Sequence, residues 1–275
     1  MAEPTTARRP SVLHTYRVVL GSRVRAQLSY RVSFALTFLS AAGIGVIEFS
    51  EIYVLLSAVP VFGGLDLAQA ALVFALANLG FALADLVFGQ LDSIPTLLRL
   101  GQLEALLVRP VSVMGQLVTS DFQLRRLGRA LVSVVLLAVV LPLVDVDWTP
   151  ARVYLLLVTP LVGCAIYGAM FAVAGGVQFW LVDGAEFTSS FVYGGGYAGQ
   201  VPGSVLPPVL RSVFTFVVPA TLTGYAPALL LLGLPGPALL PAWLGWWAPL
   251  VAAWTWLLAA LAWRSGVRHF TGAGG

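Results

Sequence analysis

Residues 85–129 read DLVFGQLDSIPTLLRLGQLEALLVRPVSVMGQLVTSDFQLRRLGR, the one long polar interruption in a chain that is otherwise almost entirely apolar. The stretch holds five arginines and four acidic residues, which are Arg99, Arg109, Arg125, Arg126, Arg129, Asp85, Asp92, Glu104 and Asp121. Apolar runs long enough to cross a bilayer lie on both sides of it. The segment is therefore expected to lie outside the membrane and to be contacted there.

The composition of the chain predicts a membrane protein. Apolar residues make up 59% of its 275 residues, charged residues make up 10%, and the mean hydropathy is +0.92. A soluble domain usually carries about 25% charged residues. Because lipid offers no hydrogen-bond partners, only helices or a closed barrel satisfy the backbone. Continuous apolar blocks favour helices over short alternating strands, so the predicted fold class is an all-α polytopic membrane protein.

The basic and reactive residues exclude several kinds of site. All 15 basic residues are arginine, so the chain lacks the G-x-x-x-x-G-K-[ST] loop whose lysine contacts nucleotide phosphates. His14 and His269 have no partner at metal-ligand spacing, and Cys164 has no second cysteine. We expect no catalytic residue, no metal site and no cofactor in this chain. Arginines beside membrane-length runs favour anionic lipid and a cytoplasmic partner over nucleic acid.

The apolar runs predict about six transmembrane helices. Residues 1–31 are expected to form a cytoplasmic or interfacial segment, with a helix over 11–30, and residues 32–275 a single transmembrane domain. No removable signal peptide is expected. The spans are predicted at 32–57, 67–88, 127–144, 153–181, from about Phe187 onward, and 242–263.

Prolines interrupt the apolar stretch 205–240, which precedes the last predicted span. They are Pro207, Pro208, Pro219, Pro227, Pro235 and Pro237. Non-helical backbone at membrane depth is tolerated only where it is buried in protein or lines a cavity. The stretch is therefore predicted to be a broken, re-entrant element.

The distribution of arginine predicts the orientation. With six spans and a cytoplasmic N-terminus, thirteen arginines lie inside and only Arg152 and Arg211 lie outside. Cytoplasmic loops carry the excess of basic residues in membrane proteins. Both termini and residues 85–129 are therefore expected on the cytoplasmic side.

Residues 93–109 are predicted to form one helix of about four turns. Ser93 is its predicted cap, Pro95 fits its first turn, and Pro110 follows its end. The helix is too short and too charged to cross the membrane. Two interpretations fit these residues: an amphipathic helix on lipid headgroups, or a helix presented to a soluble motor.

The run GQLEALLVRP at 101–110 resembles the G-x-L-[DE]-x-L-L-x-R-P motif of permease subunits of type 2 ATP-binding cassette transporters. Within that group, the chain resembles the small permeases that occur as two related copies beside a separate ATPase. The similarity extends to the turn VFGGLDLAQA at 61–70, to Phe179-Trp180, and to VFTFVVPATLTGYAPALLLLG at 213–233.

This resemblance implies a coupling helix at about 93–109, within a coupling segment at 89–126, that inserts into a cleft of the ATPase. The implied coupling residues are Arg99, Leu103, Glu104, Leu107, Arg109 and Pro110. The implied partners are ATPase subunits, which would bind ATP and Mg, and a second copy of this chain or a related permease.

The function implied by the resemblance is ATP-driven export across the bacterial plasma membrane. A path lined by leucine, valine and phenylalanine suggests an amphipathic or lipid-like substrate. The alternative is a carrier coupled to an ion gradient or a membrane scaffold, neither of which needs an ATPase. A co-purifying protein with a phosphate-binding loop would separate the two.

Three polar residues within predicted spans are candidates for a substrate path. Glu48 and Glu51 lie three residues apart, on one face of the first helix. They fit either a substrate-path or proton-linked role, or an outer-interface position reached by snorkelling. Asn78, in the middle of the second helix, more closely fits an interhelical hydrogen bond.

The glycine-rich run YGGGYAGQVPG at 193–203 contains two overlapping patterns. G-x-G-x-x-G matches a dinucleotide-binding pattern, but it lies in an apolar run and no acidic residue follows Glu186. Gly195, Gly199 and Gly203 form the small-residue spacing that lets helices approach closely in lipid. A packing or hinge role and a subunit interface both remain open.

Overall fold

The computed structural model describes residues 12–58, 61–109, 111–120, 122–181 and 184–270. Within these ranges the chain folds into α-helices joined by short turns. In chain order the helices are α1 (Val12–Ser29), α2 (Arg31–Ala58), α3 (Leu67–Phe88), α4 (Ile94–Arg99), α5 (Leu103–Leu107), α6 (Val113–Ser120), α7 (Leu127–Val140), α8 (Pro150–Val177), α9 (Ala185–Thr188), α10 (Gly194–Gln200), α11 (Pro208–Ser212), α12 (Tyr225–Leu232) and α13 (Ala248–His269).

Among the described residues, five helical stretches are long and apolar enough to cross a membrane. A bent pair, Pro208–Val217 with Ala220–Leu232, makes a sixth if it counts as one span. The two halves differ in direction by 71°. Pro219 lies between them, where its missing N–H prevents a continuous helix. The chain is therefore an all-α polytopic membrane protein, and the predicted break before the last helix is confirmed.

The first two predicted spans are confirmed to within one residue by α2 and α3. Asp66 sets the start of α3, because its carboxylate accepts a hydrogen bond from the Gln69 N–H at 2.8 Å. The Gln69 side chain in turn accepts one from the Asp66 N–H at 3.1 Å. This reciprocal capping box satisfies two N–H groups that the helix itself leaves unpaired.

The fourth and last spans differ from their predicted bounds. Helix α8 begins three residues earlier than predicted, because Thr149 accepts a hydrogen bond from the Arg152 N–H at 3.3 Å and Pro150 fits the first turn. It also ends at Val177, four residues early. A 3-10 turn precedes α13, which continues six residues beyond the predicted end to His269.

The predicted fifth span is a short helix made of three parts. Helix α9, a π-helical turn at Ser189–Tyr193 and α10 follow one another without a gap over sixteen residues. At 1.5 Å per residue they span about 24 Å, less than a hydrocarbon layer of ~30 Å. The predicted fifth span is therefore wrong, because this element is too short to be a candidate span and ends near Pro202.

Helices α3 and α8 form the centre of the fold. A Cβ atom added to Gly80 would lie 2.9 Å from the Gly163 Cα atom. The two backbones are therefore closer than any side chain would permit. Helix α13 packs on α8 in the same way, since a Cβ atom on Gly176 would lie 2.8 Å from the Ala262 carbonyl carbon.

Candidate functional site

The polar segment after α3 forms a group of short helices at one end of the α3–α8 pair. A 3-10 turn at Gly89–Ser93 continues from α3, and α4, α5 and α6 follow. Leu91 and Ile94 are buried at the base of this group. A Cβ atom on Gly175 would lie 2.8 Å from Ile94 Cδ1, so the base packs directly on α8. The segment is thus attached to the centre of the membrane domain.

The predicted single helix over 93–109 is wrong, because the structure contains two short helices in its place. Gly101 adopts a left-handed conformation, with φ of +64°. The Gln102 N–H donates to the Leu97 carbonyl at 3.0 Å, and the Gly101 N–H donates to the Leu98 carbonyl at 3.2 Å. This is the Schellman arrangement, which ends a helix at a glycine. The glycine within the motif was the signal that a single-helix prediction overlooked.

Ser93 does not have its predicted capping role. The Ser93 hydroxyl donates instead to the Gln90 carbonyl at 2.7 Å, and Ser93 has helical rather than extended dihedrals. The preceding 3-10 turn runs directly into α4, so no free helix start requires a cap. Pro95 does lie in the first turn of α4, as predicted.

The two short helices present an exposed tip that is both apolar and charged. We define the tip as residues 96–109. Its most exposed apolar side chains are Leu100, at 62%, and Val108, at 86%. Arg99, Glu104, Leu107 and Arg109 are exposed as well.

Leu103 points away from the surface of the tip. It was expected to make apolar contacts with a partner, yet its side chain is 0% exposed. The first turn of α5 directs it into the protein interior, so this expectation was wrong. Leu103 therefore holds the tip on the protein, whereas Leu107 remains accessible. Pro110 lies outside the described residues.

Two polar contacts hold the tip in place. The buried Gln116 side chain on α6 donates to the Leu106 carbonyl at 2.8 Å and to the Val111 carbonyl at 3.1 Å. The Tyr16 hydroxyl on α1 lies 3.2 Å from the Ser112 hydroxyl, just before α6. The N-terminal helix α1 therefore supports the group of short helices from the side.

Glu48 forms an ion pair that the sequence did not predict. Its Oε1 atom accepts a hydrogen bond from Arg129 Nη2 at 2.8 Å, and Glu48 is buried between α2 and α7. Arg129 lies in the first turn of α7, at the end far from the 145–152 turn. Glu48 therefore joins α2 to α7, and both interpretations of its role, substrate path and outer interface, stay predictions. Glu51 does not share this environment, because its side chain is exposed.

A second ion pair and a tyrosine contact lie beside the first pair. The Arg126 guanidinium donates to the Asp85 carboxylate and, at 2.6 Å, to the Asp85 carbonyl oxygen. The Tyr193 hydroxyl donates to Asp92 Oδ2 at 2.5 Å. These contacts join the end of α3 to the start of α7 and to the π-helical turn. A cavity of about 210 Å³ lies among Asp85, Arg126, Arg129 and Tyr193.

Asn78 makes the interhelical hydrogen bond that the sequence favoured. Gln200 Nε2 on α10 donates to Asn78 Oδ1 at 3.3 Å, and Asn78 is fully buried. Nearby, the Tyr167 hydroxyl lies 3.0 Å from Thr223 Oγ1. Each polar group therefore joins two different elements of the central bundle.

The three spaced glycines pack against other parts of the same chain. A Cβ atom on Gly195 would meet Met170 and Val218, and one on Gly203 would meet Leu240 and Tyr225. At Gly199 the added atom would meet the Tyr167 hydroxyl and the Ala220 carbonyl oxygen. These three glycines therefore serve packing within the chain rather than a subunit interface, because other residues of the same chain already lie against them.

The contacts described above connect the exposed tip to the transmembrane helices. An exposed tip rests on buried leucine and isoleucine side chains, which pack on the central helices α3 and α8. Two ion pairs connect Asp85, near the end of α3, and Glu48, within α2, to the start of α7. A force applied to the tip would therefore reach several membrane helices through contacts that are already formed.

Comparison with protein families gives one match. Residues 43–274 match the model of a family described as ABC-2 family transporter protein. No match was found among curated proteins or among solved structures. The matched residues include the tip, both ion pairs and all of the candidate transmembrane helices except the start of α2. The chain therefore belongs to the ABC-2 family of transporter proteins and is a membrane permease of an ABC transporter.

Proposed function

We propose that the chain is the permease subunit of an ATP-driven exporter and that separate ATPase subunits bind its exposed tip. Leu100, Val108, Arg99 and Glu104 would contact the ATPase, and Arg109 and Leu107 would lie at the edge of the contact. The observation that supports this proposal most strongly is an exposed tip, both apolar and charged, whose base packs on α8. Binding ATP and Mg is assigned to the partner, since this chain has no lysine with which to form a phosphate-binding loop.

The proposed mechanism is linkage between two states of the complex. Closure of the ATPases around ATP would displace the tip, and Leu91, Ile94 and Leu103 would transmit that displacement to α3 and α8. A ligand shifts a conformational equilibrium only by its different affinity for the two states. The ATP-bound ATPase is therefore expected to bind the tip more tightly in the outward-open state.

Orientation and assembly form part of the same proposal. The tip and both termini would lie in the cytoplasm of a bacterial cell, because thirteen of the fifteen arginines then fall on that side. Two permeases, either identical or related, would pair in the plasma membrane above two ATPases. The exposed apolar faces of α2 and α7 leave room for such a partner and for lipid.

An amphipathic or lipid-like substrate is the class that we propose. An apolar cleft of about 410 Å³ lies between α2, α3 and α7. Phe49, Leu136 and Val140 are among its apolar lining residues, and Asp66 is its one charged lining residue among the described residues. A mainly apolar cleft with one charged residue is complementary to a molecule with an apolar tail and a polar head.

The buried ion pair argues against a carrier coupled to an ion gradient. Such a carrier needs an intramembrane carboxylate that gains and loses an ion during transport. Glu48 is instead held by Arg129, which offsets its charge. A membrane scaffold would not require the tip to be attached to the transmembrane core.

A charge reversal in the tip tests the proposal. In Glu104→Arg, like charges would face each other at the ATPase, and binding of the ATPase should weaken by about tenfold or more. ATPase subunits would be identified by mass spectrometry after purification of the tagged chain from its native membranes. Their affinity and the coupled ATPase rate would then be measured in reconstituted vesicles.

Glu186→Arg is the matched control, because Glu186 is an exposed acid beyond the tip, at the start of the 185–200 helix. This control should retain ATPase binding, and both variants should elute as folded protein. Equal binding by Glu104→Arg and the wild type would refute the assignment of the tip. Purification without any nucleotide-binding protein would favour the scaffold or the ion-coupled carrier.

A further inference from the structure

A cleft of about 570 Å³ lies where the corner between α1 and α2 faces the turn before α7. This volume falls within the range of roughly 300–1,000 Å³ found for small-molecule sites. The side chains from the N-terminal part of the chain that line it come from residues 23–37. These residues precede the part of the chain that matches the family, which begins at residue 43. The cleft is also separate from the exposed tip and from the apolar cleft.

Gln27 fixes the shape of this cleft by holding its two walls together. The Gln27 Nε2 atom donates to the Phe122 carbonyl oxygen, and its Oε1 atom accepts a hydrogen bond from the Leu124 N–H at 2.9 Å. Both ends of one amide side chain thus bind the backbone of the opposite wall. The cleft is therefore a formed structural feature of the corner.

The charge of the cleft is positive. Arg23 on α1 and Arg125 on the opposite wall both line it, and no carboxylate does so within the part of the chain that the structure describes. Arg125 Nε donates to Gln123 Oε1 at 2.7 Å, which orients the guanidinium. In the described ranges, its two terminal nitrogens make no hydrogen bond. Asp85, the acid of the neighbouring cavity, is already paired with Arg126.

Hydroxyl groups and an apolar wall complete the lining. Tyr30, at the corner between α1 and α2, and Ser33, in the first turn of α2, also line the cleft, and both are exposed. Thr37 lies one turn further along α2, and its hydroxyl donates to the Ser33 carbonyl at 2.9 Å. Phe34 supplies apolar surface beside these polar groups. The combination offers charged and neutral donors to an anion, with a nearby surface for a short apolar chain.

We propose that this cleft binds a phosphate-bearing anion, either the headgroup of an anionic lipid or a free phosphate compound. The planar guanidinium groups of two arginines match the oxygens of a phosphate and bind it with charge-assisted hydrogen bonds. The cleft lies at the beginning of α2, the first helix long enough to enter the membrane, where lipid headgroups are found. The site goes beyond the proposed transport function and needs no ATPase.

Native mass spectrometry of the full chain in an uncharged detergent tests this proposal. The probes are short-chain phosphatidylglycerol, short-chain phosphatidylcholine and inorganic phosphate. Removing one arginine near a headgroup should weaken phosphatidylglycerol binding about fivefold, which corresponds to about 1 kcal/mol. Arg23→Gln and Arg125→Gln should each show this loss, and the double variant should show roughly their product.

Two further variants test whether binding depends on this cleft or only on the positive charge of the protein surface. Arg264→Gln removes an exposed arginine from α13, outside the cleft, and should leave binding unchanged. Ser33→Trp keeps the net charge but fills the cleft, and it should also weaken binding. Because Arg23, Ser33 and Arg125 are exposed, these substitutions should leave the fold intact.

The three probes identify the source of the phosphate. If the cleft variants lose phosphatidylglycerol binding but keep inorganic phosphate binding, the ligand is a lipid headgroup. Loss of inorganic phosphate binding in the same variants supports a soluble phosphate compound. The proposal is overturned if Arg264→Gln weakens binding as much as Arg125→Gln, or if phosphatidylcholine binds as well as phosphatidylglycerol in every variant.

Discussion

The α3–α8 pair and the α2–α7 pair are both built from membrane-length helices, yet they are buried to very different extents. In the most apolar stretch of each helix, 72% of residues are buried in α3 and 61% in α8, but only 11% in α2 and 28% in α7. We call α3 and α8 the core pair, and α2 and α7 the flanking pair. The core pair is therefore surrounded by protein, whereas the flanking pair exposes most of its apolar surface.

Both pairs are closely packed, and the flanking pair has a buried ion pair as well. In the core pair, backbones approach at Gly80 and Gly163, and an aromatic group fills the space beside them, with Phe81 and Tyr167 ring centroids 5.2 Å apart. In the flanking pair the backbones also approach closely, since a Cβ atom on Gly128 would lie 2.5 Å from the Phe38 carbonyl oxygen. Glu48 and Arg129 add an ion pair at 2.8 Å. Because fewer residues of the flanking pair are packed against protein, the difference in burial predicts that the flanking pair moves against a fixed core pair.

The largest expected effect comes from Gly80→Leu in the core pair. The first added atom would lie 2.9 Å from the Gly163 Cα atom, and backbone atoms there have no space to move aside. The two helices would have to separate, and the packing that drives helix association in lipid would be lost. We expect no folded, monodisperse protein when the detergent-solubilised variant is analysed by size-exclusion chromatography.

Gly43→Leu is the matched control in the flanking pair. A Cβ atom at Gly43 meets nothing within 4 Å, so a leucine there should leave the yield and the melting temperature nearly unchanged. If both variants lose the fold, the flanking pair is as tightly constrained as the core pair. Tolerance of Gly80→Leu would show that the core pair is not closely packed.

A smaller but clear effect is expected from Arg129→Met in the flanking pair. This change leaves the buried Glu48 carboxylate without its cation, and breaking a buried pair in this way costs about 3 kcal/mol or more. The melting temperature of the purified protein should therefore fall. Arg152→Met should have little effect, because the Asp147 side chain with which it pairs is 91% exposed.

The double variant Glu48→Leu with Arg129→Met shows whether the flanking pair needs this ion pair for stability or for function. An apolar pair of similar volume often restores the stability that a single change removes. We expect the double variant to regain most of the melting temperature but to show a lower transport rate in vesicles. Full recovery of both properties would mean that the ion pair has no part in movement.

Most of the core pair could be predicted from the sequence, because the physical constraint there is local. Only helices satisfy the backbone in lipid, so the apolar runs give the spans. Asp66 and Gln69 set the start of α3 through neighbouring residues. The early start of α8 was also visible in the dipeptide Thr149-Pro150, since threonine caps helices and proline fits their first turn.

The charged part of the flanking pair could not be predicted, because its partners are far apart in the sequence. Glu48 and Arg129 are separated by 81 residues, and no local pattern joins them. The burial of Leu103 likewise depends on which face of a short helix packs on the protein. Gly101 was the exception. A glycine within a helical pattern is a recognisable stop signal, because glycine readily adopts the left-handed conformation that ends a helix.

The smallest expected effect concerns the polar link between Asn78 in the core pair and Gln200 on α10. Interhelical hydrogen bonds in membrane proteins contribute only about 0.6 kcal/mol on average. A double-mutant cycle with Asn78→Leu and Gln200→Leu should therefore give a coupling free energy near this value. The free energy of unfolding would be measured by titration with denaturing detergent, with tryptophan fluorescence as the signal.

Thr255→Val is the control for this cycle, because the Thr255 hydroxyl donates within its own helix to the Ala252 carbonyl at 2.8 Å. Its loss should not couple to either core substitution. A coupling free energy near zero would mean that Asn78 and Gln200 bond other groups in the membrane, and that packing alone holds α10 on α3. A coupling well above 1 kcal/mol would place a polar contact among the main supports of the core and would weaken the contrast with the flanking pair.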